Sequence, residues 1–124
     1  MKHLNLSTLD HTWILDIDGT IVKHNGYWTD GYDTLLPGVK EFIDSLPDDD
    51  MIIFITARPD YYRNITEAFL IKNDIRYDHI IFDAPVGERI LINDEKPLGL
   101  KTAIAVNVKR NDDFDLNYII DENL

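Results

Sequence analysis

Two aspartates spaced two apart close an apolar run in Trp13-Ile14-Leu15-Asp16-Ile17-Asp18-Gly19-Thr20. Side chains at i and i+2 of an extended strand share a face, so Asp16 and Asp18 start out side by side. Two like charges that close repel, and burial raises the cost. A divalent cation offsets it most simply; a proton held on one carboxyl is the other solution. Mg²⁺ suits an all-oxygen site of one or two carboxylates, waters and a phosphate. Gly19 lets the backbone turn and approach a ligand closely, and Thr20 brings a hydroxyl to the same place. The alternative is an acidic turn after a strand, which the preceding apolar run disfavours.

Asp16-Ile17-Asp18-Gly19-Thr20 after an apolar strand resembles the first motif of the haloacid dehalogenase superfamily of phosphohydrolases. The resemblance implies a Mg²⁺-dependent phosphomonoesterase. Asp16 would attack phosphorus to give an aspartyl-phosphate, and Asp18, bound to the metal through its backbone carbonyl, would serve as acid and base. Thr56, in Phe54-Ile55-Thr56-Ala57-Arg58, is similar to the second motif, whose hydroxyl bonds a phosphoryl oxygen; taken alone it could equally cap the next helix. Beside it, Ala57 and Arg58 fall in the implied substrate site, Arg58 forking onto a phosphate or pairing with one of the many acids. Asp94, in Ile92-Asn93-Asp94-Glu95, is similar to the acidic fourth motif and is the implied third metal ligand. The third motif departs. Where small capless relatives carry Gly-Lys-Pro, this chain reads Asp83-Ala84-Pro85. Lys96, two residues past Asp94, is the expected replacement cation. Arg89 is placed at the wrong end of a strand that spans roughly 16 Å.

The elements that must hold these residues follow from apolar patterning. Strands are expected over about 12–17, 51–56, 79–82, 90–93 and 102–108, the second a continuous apolar run of the kind buried on both faces. Asn25-Gly26 between β-prone runs predicts a flap hairpin overhanging the carboxylates. Pro37-Gly38 opens a helix with Val39, Phe42, Ile43 and Leu46 on one stripe, closed by Pro47. A second helix runs from Pro59 to about Asn73, with Tyr62, Ile65, Phe69 and Leu70 inward. The tail 111–124 fits helix or strand. Alternating strands and helices predict a Rossmann-like doubly wound α/β sandwich. Its five-stranded sheet is mainly parallel and carries no cap domain. Asp16, Thr56 and Asp94 then fall at the carboxyl ends of strands, where such sheets bind ligands.

At 124 residues and 44% hydrophobic, residues 1–124 fit a single domain. A net charge of −11 argues against nucleic acid and anionic membrane as partners and favours a small phosphate ester, such as a phosphosugar. Without cysteine there is no disulfide or thiol chemistry, and without an apolar leader the expected compartment is the cytoplasm. With no cap the site should be open, so water exclusion needs a neighbouring subunit or a large substrate, and a homo-oligomer is expected. The four histidines show no ligand spacing, and Tyr27, Trp28 and Tyr32 serve stacking on substrate or packing equally well. Two rivals remain: a phosphoacceptor receiver module and an inactive fold of the same type used for binding. The receiver module pairs its acids adjacently, whereas here Ile17 separates them.

Overall fold

A computed structural model describes residues 2–124. It is a small α/β fold whose parallel strands form two small sheets. In chain order the elements are β1 (Lys2–Leu6), β2 (Thr12–Asp16), α1 (Gly26–Thr29) and α2 (Val39–Ser45), then β3 (Met51–Ile55), a 3₁₀ turn (Asp60–Tyr62), α3 (Arg63–Lys72), β4 (His79–Ile81) and β5 (Leu116–Ile120). The larger sheet has the order β2-β3-β4, all parallel, with Asp16 paired to Ile55 and Ile55 to Ile81. Parallel neighbours need long crossovers. The flap with α2 supplies one and α3 the other. Consequently the carboxyl ends of β2, β3 and β4 lie along one rim.

Ile52, Phe54, Ile17 and Ile21 are fully buried between this sheet and its helices, with Val39, Ile43 and Leu70 packed on them. The second sheet, β1 with β5, docks through aromatic rings. Trp13 meets Phe42 and Tyr118 at 5.5 and 5.3 Å between centroids, and Phe42 meets Phe114 at 4.8 Å. Asp50, nearly buried, accepts from the Trp13 indole at 2.9 Å and from the His11 amide at 3.0 Å, fixing the start of β2 against that of β3.

Both sequence-predicted helices form, with one phase change. The 3₁₀ turn precedes α3, so Thr66 and Leu70 are the buried positions and Ile65 is half exposed. The tail resolves as strand β5. Asn25-Gly26 does not make a tight hairpin; Asn25 takes a left-handed φ of 56° and opens α1. The antiparallel pairing of the flap is wider, with the Lys23 amide donating to Thr34 O and the Leu36 amide to Ile21 O, each at 2.9 Å. Residues 90–93 and 102–108 are not strands. An apolar run gives strand propensity but not a partner; the stretch bends at 86–87 and turns at 97–98, where the Gly99 amide donates to Lys96 O. The sheet that carries the site therefore has three strands.

Gly38, with φ 90°, lets Phe114 cross the start of α2: an added Cβ would stand 2.2 Å from Phe114 O. Gly38→Ala should therefore cost at least about 1–3 kcal/mol from backbone strain alone. A urea midpoint equal to wild type would contradict that close approach.

Candidate active site

The loop after β2 turns on one carbonyl. Ile17 O accepts from the amides of Thr20, Ile21 and Val22 at 3.3, 3.0 and 3.2 Å, and Gly19 takes a φ of 84°. This turn holds Asp16 and Asp18 at the rim while giving them different surroundings. The Asp16 carboxylate is about one-third exposed. It accepts from Thr20 Oγ1 at 3.2 Å and from Arg89 Nη1 at 2.7 Å. The Asp18 side chain is 14% exposed and sits against Arg58, which is 1% exposed.

Thr56 follows β3 directly and is fully buried. Its amide donates to Ile81 O at 2.9 Å, continuing the ladder, and its hydroxyl donates to Asp18 Oδ2 at 3.2 Å. The same hydroxyl accepts from the Arg58 amide at 3.0 Å. The Arg58 guanidinium then joins three elements. Nη2 and Nε donate to Asp18 Oδ1 and Oδ2 at 2.9 and 3.1 Å, and Nη1 donates to Thr66 of α3 at 2.8 Å. Nη2 and Nη1 also donate to Asp33 Oδ1 and Oδ2 of the flap, at 2.7 and 3.1 Å. Tyr27 stacks on it, with Cζ 4.0 Å from the ring centre. Burial alone pulls the Arg58 pKa down. The hydrogen bonds and charges of Asp33 and Asp18 more than reverse this, so it stands above the ordinary arginine value. Burial, then the charge of Asp18, raises the Tyr27 phenol above the usual tyrosine range.

Of the residues expected from sequence, Asp16, Asp18, Gly19, Thr20, Thr56 and Arg58 come together, with Ala57 exposed beside them. Asp94 and Lys96 do not join them. Asp94 O accepts from the Thr102 hydroxyl, and Lys96 lies exposed in a turn where the Gly99 amide donates to Lys96 O at 2.8 Å. Arg89 stands where Lys96 was expected. The strand that would have carried Arg89 away from the rim is absent, so the chain turns back over Asp16 instead. Asp33 and Thr66 are the site residues that sequence reasoning missed, and Arg89 is one it considered but placed away from the rim. Only the basic character of Arg89 offered any signal.

Among the described residues no group of three His, Asp or Glu side chains is close enough to hold a metal. Both Asp16 oxygens are engaged by Thr20 and Arg89, and both Asp18 oxygens by Arg58 and Thr56. As arranged, this donor set does not fit a magnesium ion; arginines balance the two carboxylates instead.

No family model matches the chain, and no curated protein matches it either. Solved structures do. A chain of the Pnkp1/Rnl/Hen1 complex is 28% identical at a TM-score of 0.53, covering 67% of this chain and 31% of that one. A chain of the Pnkp1/Rnl/Hen1 RNA repair complex is 30% identical at the same TM-score, covering 68% and 29%. This chain thus spans about three-tenths of the length of the chains it resembles.

Proposed function

We propose that this chain is a phosphomonoesterase of the haloacid dehalogenase type, working through an aspartyl-phosphate on Asp16. The observation that supports it best is the meeting of Asp16, Asp18, Thr56 and two guanidiniums at one rim of a parallel sheet. Asp16, the more exposed carboxylate, attacks phosphorus in line. The P–O bond to the leaving alkoxide breaks, and Asp18 supplies that oxygen with a proton. Water then attacks phosphorus, Asp18 takes its proton, and Asp16 is regenerated with release of phosphate. Thr56 and Arg89 are the donors offered to the non-bridging oxygens as charge shifts.

Asp18 accepts from Arg58 and Thr56 through both oxygens in the resting arrangement, so its acid role asks one of these hydrogen bonds to give way when substrate arrives. The Mg²⁺ expected from sequence enters no step here, because Thr20 and Arg89 already engage both Asp16 oxygens; the assay below tests for it directly. The finer fold reading, a doubly wound sandwich, asks residues 90–93 and 102–108 to complete the sheet. The setting proposed is the cytoplasm; among the described residues no helix is long and apolar enough to cross a membrane.

Two substrate classes stand. A small phosphorylated metabolite suits the acidic chain. A phosphorylated RNA end is favoured by the likeness to chains of an RNA repair complex. Rates of phosphate release from an aryl phosphate, a phosphosugar and an end-phosphorylated oligoribonucleotide, each with and without Mg²⁺, separate them. No release from any would sink the enzyme reading and leave the binding fold. Stoichiometric phosphorylation without turnover would favour the receiver module.

The basic residue that replaces the third-motif lysine is testable in the same assay. Arg89→Ala should lower kcat/KM by about 10²- to 10³-fold, the usual loss for one preorganised donor. Lys96→Ala should stay within threefold of wild type, as a solvated lysine contributes little. The reverse ranking would return the role to Lys96.

A further inference from the structure

The stretch from Ala84 to Arg110 behaves unlike the rest of the chain. Val86, Ile90, Ile92 and Leu98 are 90, 82, 90 and 102% exposed. Among the described residues, no backbone-to-backbone hydrogen bond joins residues 85–95 to the sheets. Ile90 and Ile92 alternate as the face of an extended segment does. On the other side, β2 is the outer strand of its sheet, and Ile14 on it is 52% exposed. An open parallel edge with an apolar side chain is a template for another strand.

Two quantities say that this surface is meant to be covered. A folded monomer of this mass exposes roughly 6,800 Å², whereas this chain exposes 8437 Å². The excess, about 1,600 Å² per copy, exceeds the roughly 800 Å² that each partner contributes to an ordinary specific interface. Charge is also divided. Residues 84–110 hold five basic and three acidic side chains, net +2, which leaves −13 on the remainder of a −11 chain. This arm as a whole and the body thus carry opposite net charge. In its own copy the arm is tied by Arg89 at the carboxyl end of β2 and returns at Arg110 beside Gly19, and no strand of it pairs with the β2 edge.

We propose that the arm is exchanged between two copies of this chain. Residues 90–93 of each copy add as a strand to the β2 edge of the other, giving a two-fold dimer with two equivalent contacts.

Light scattering of the full chain at physiological salt should give twice the 14.4 kDa chain mass. Ile92→Asp, on the exposed arm, should weaken the dimer at least tenfold with an unchanged far-UV spectrum. Ile14→Lys, on the receiving edge, should do the same. Should Ile14→Lys fail to fold, hydrogen exchange on wild type replaces it, and protection of 90–93 should then rise with protein concentration. A monomer at about 100 μM would overturn the exchange, whether or not 90–93 is protected. So would a dimer indifferent to Ile92→Asp. Neither result bears on the proposed activity, since no phosphate release is read.

Discussion

Asp16→Asn should abolish phosphate release and leave the fold in place. The amide keeps the shape of the carboxylate and can still accept from Thr20, which donates to Asp16 at 3.2 Å in the wild type. It cannot displace an alkoxide from phosphorus. Loss of a covalent nucleophile removes the route itself, so the fall should be at least about 10³-fold, as for other members of a catalytic unit. Stability should hardly change. The ion pair lost with Arg89 is about one-third exposed on both sides, and such pairs contribute roughly 0–1 kcal/mol. A freshly prepared variant keeping more than a few per cent of wild-type turnover would end the covalent mechanism.

Arg58→Ala should be the most destabilising single change at the site. The guanidinium is 1% exposed and lies between Asp18 and Asp33, 14 and 4% exposed. Without it two carboxylates face each other in a poorly hydrated space, and the Thr66 hydroxyl loses a donor at 2.8 Å. Removing one partner from a buried charge network typically costs about 3–5 kcal/mol. For a domain of this size that lowers Tm by roughly 10–20 °C. Arg58→Lys should recover only part of the loss, because a lysine cannot fork onto both acids. The double change Arg58→Ala with Asp33→Asn should be less harmful than additivity predicts, since it removes one orphaned charge. An Arg58→Ala protein within 1 kcal/mol of wild type would show that the network contributes little.

The site was legible as far as local pattern reaches. Asp16 and Asp18 announce themselves because an apolar strand running into paired acids and a glycine is improbable without a task. Thr56 follows from the position of a hydroxyl after a buried strand. Asp33 was not legible: its role depends on the flap folding back to meet Arg58, 25 residues ahead, and nothing local marks one acid among many. Arg89 was misplaced because 90–93 has the composition of a strand. Composition says what a segment is suited to, whereas pairing depends on which edge is free. The same uncertainty fell on the tail, whose strand state is set by β1 and by Trp13 and Phe42 beneath it.

The central claim is that Asp16 carries the phosphoryl group. Wild-type enzyme turning over an aryl phosphate, quenched in acid and read by intact mass and peptide mapping, tests it most directly. A phosphoryl adduct on the peptide containing Asp16, present during turnover and gone once substrate is spent, is the expected result. Steady phosphate release with that peptide unmodified at every time sampled, or an adduct on another residue, would contradict the account.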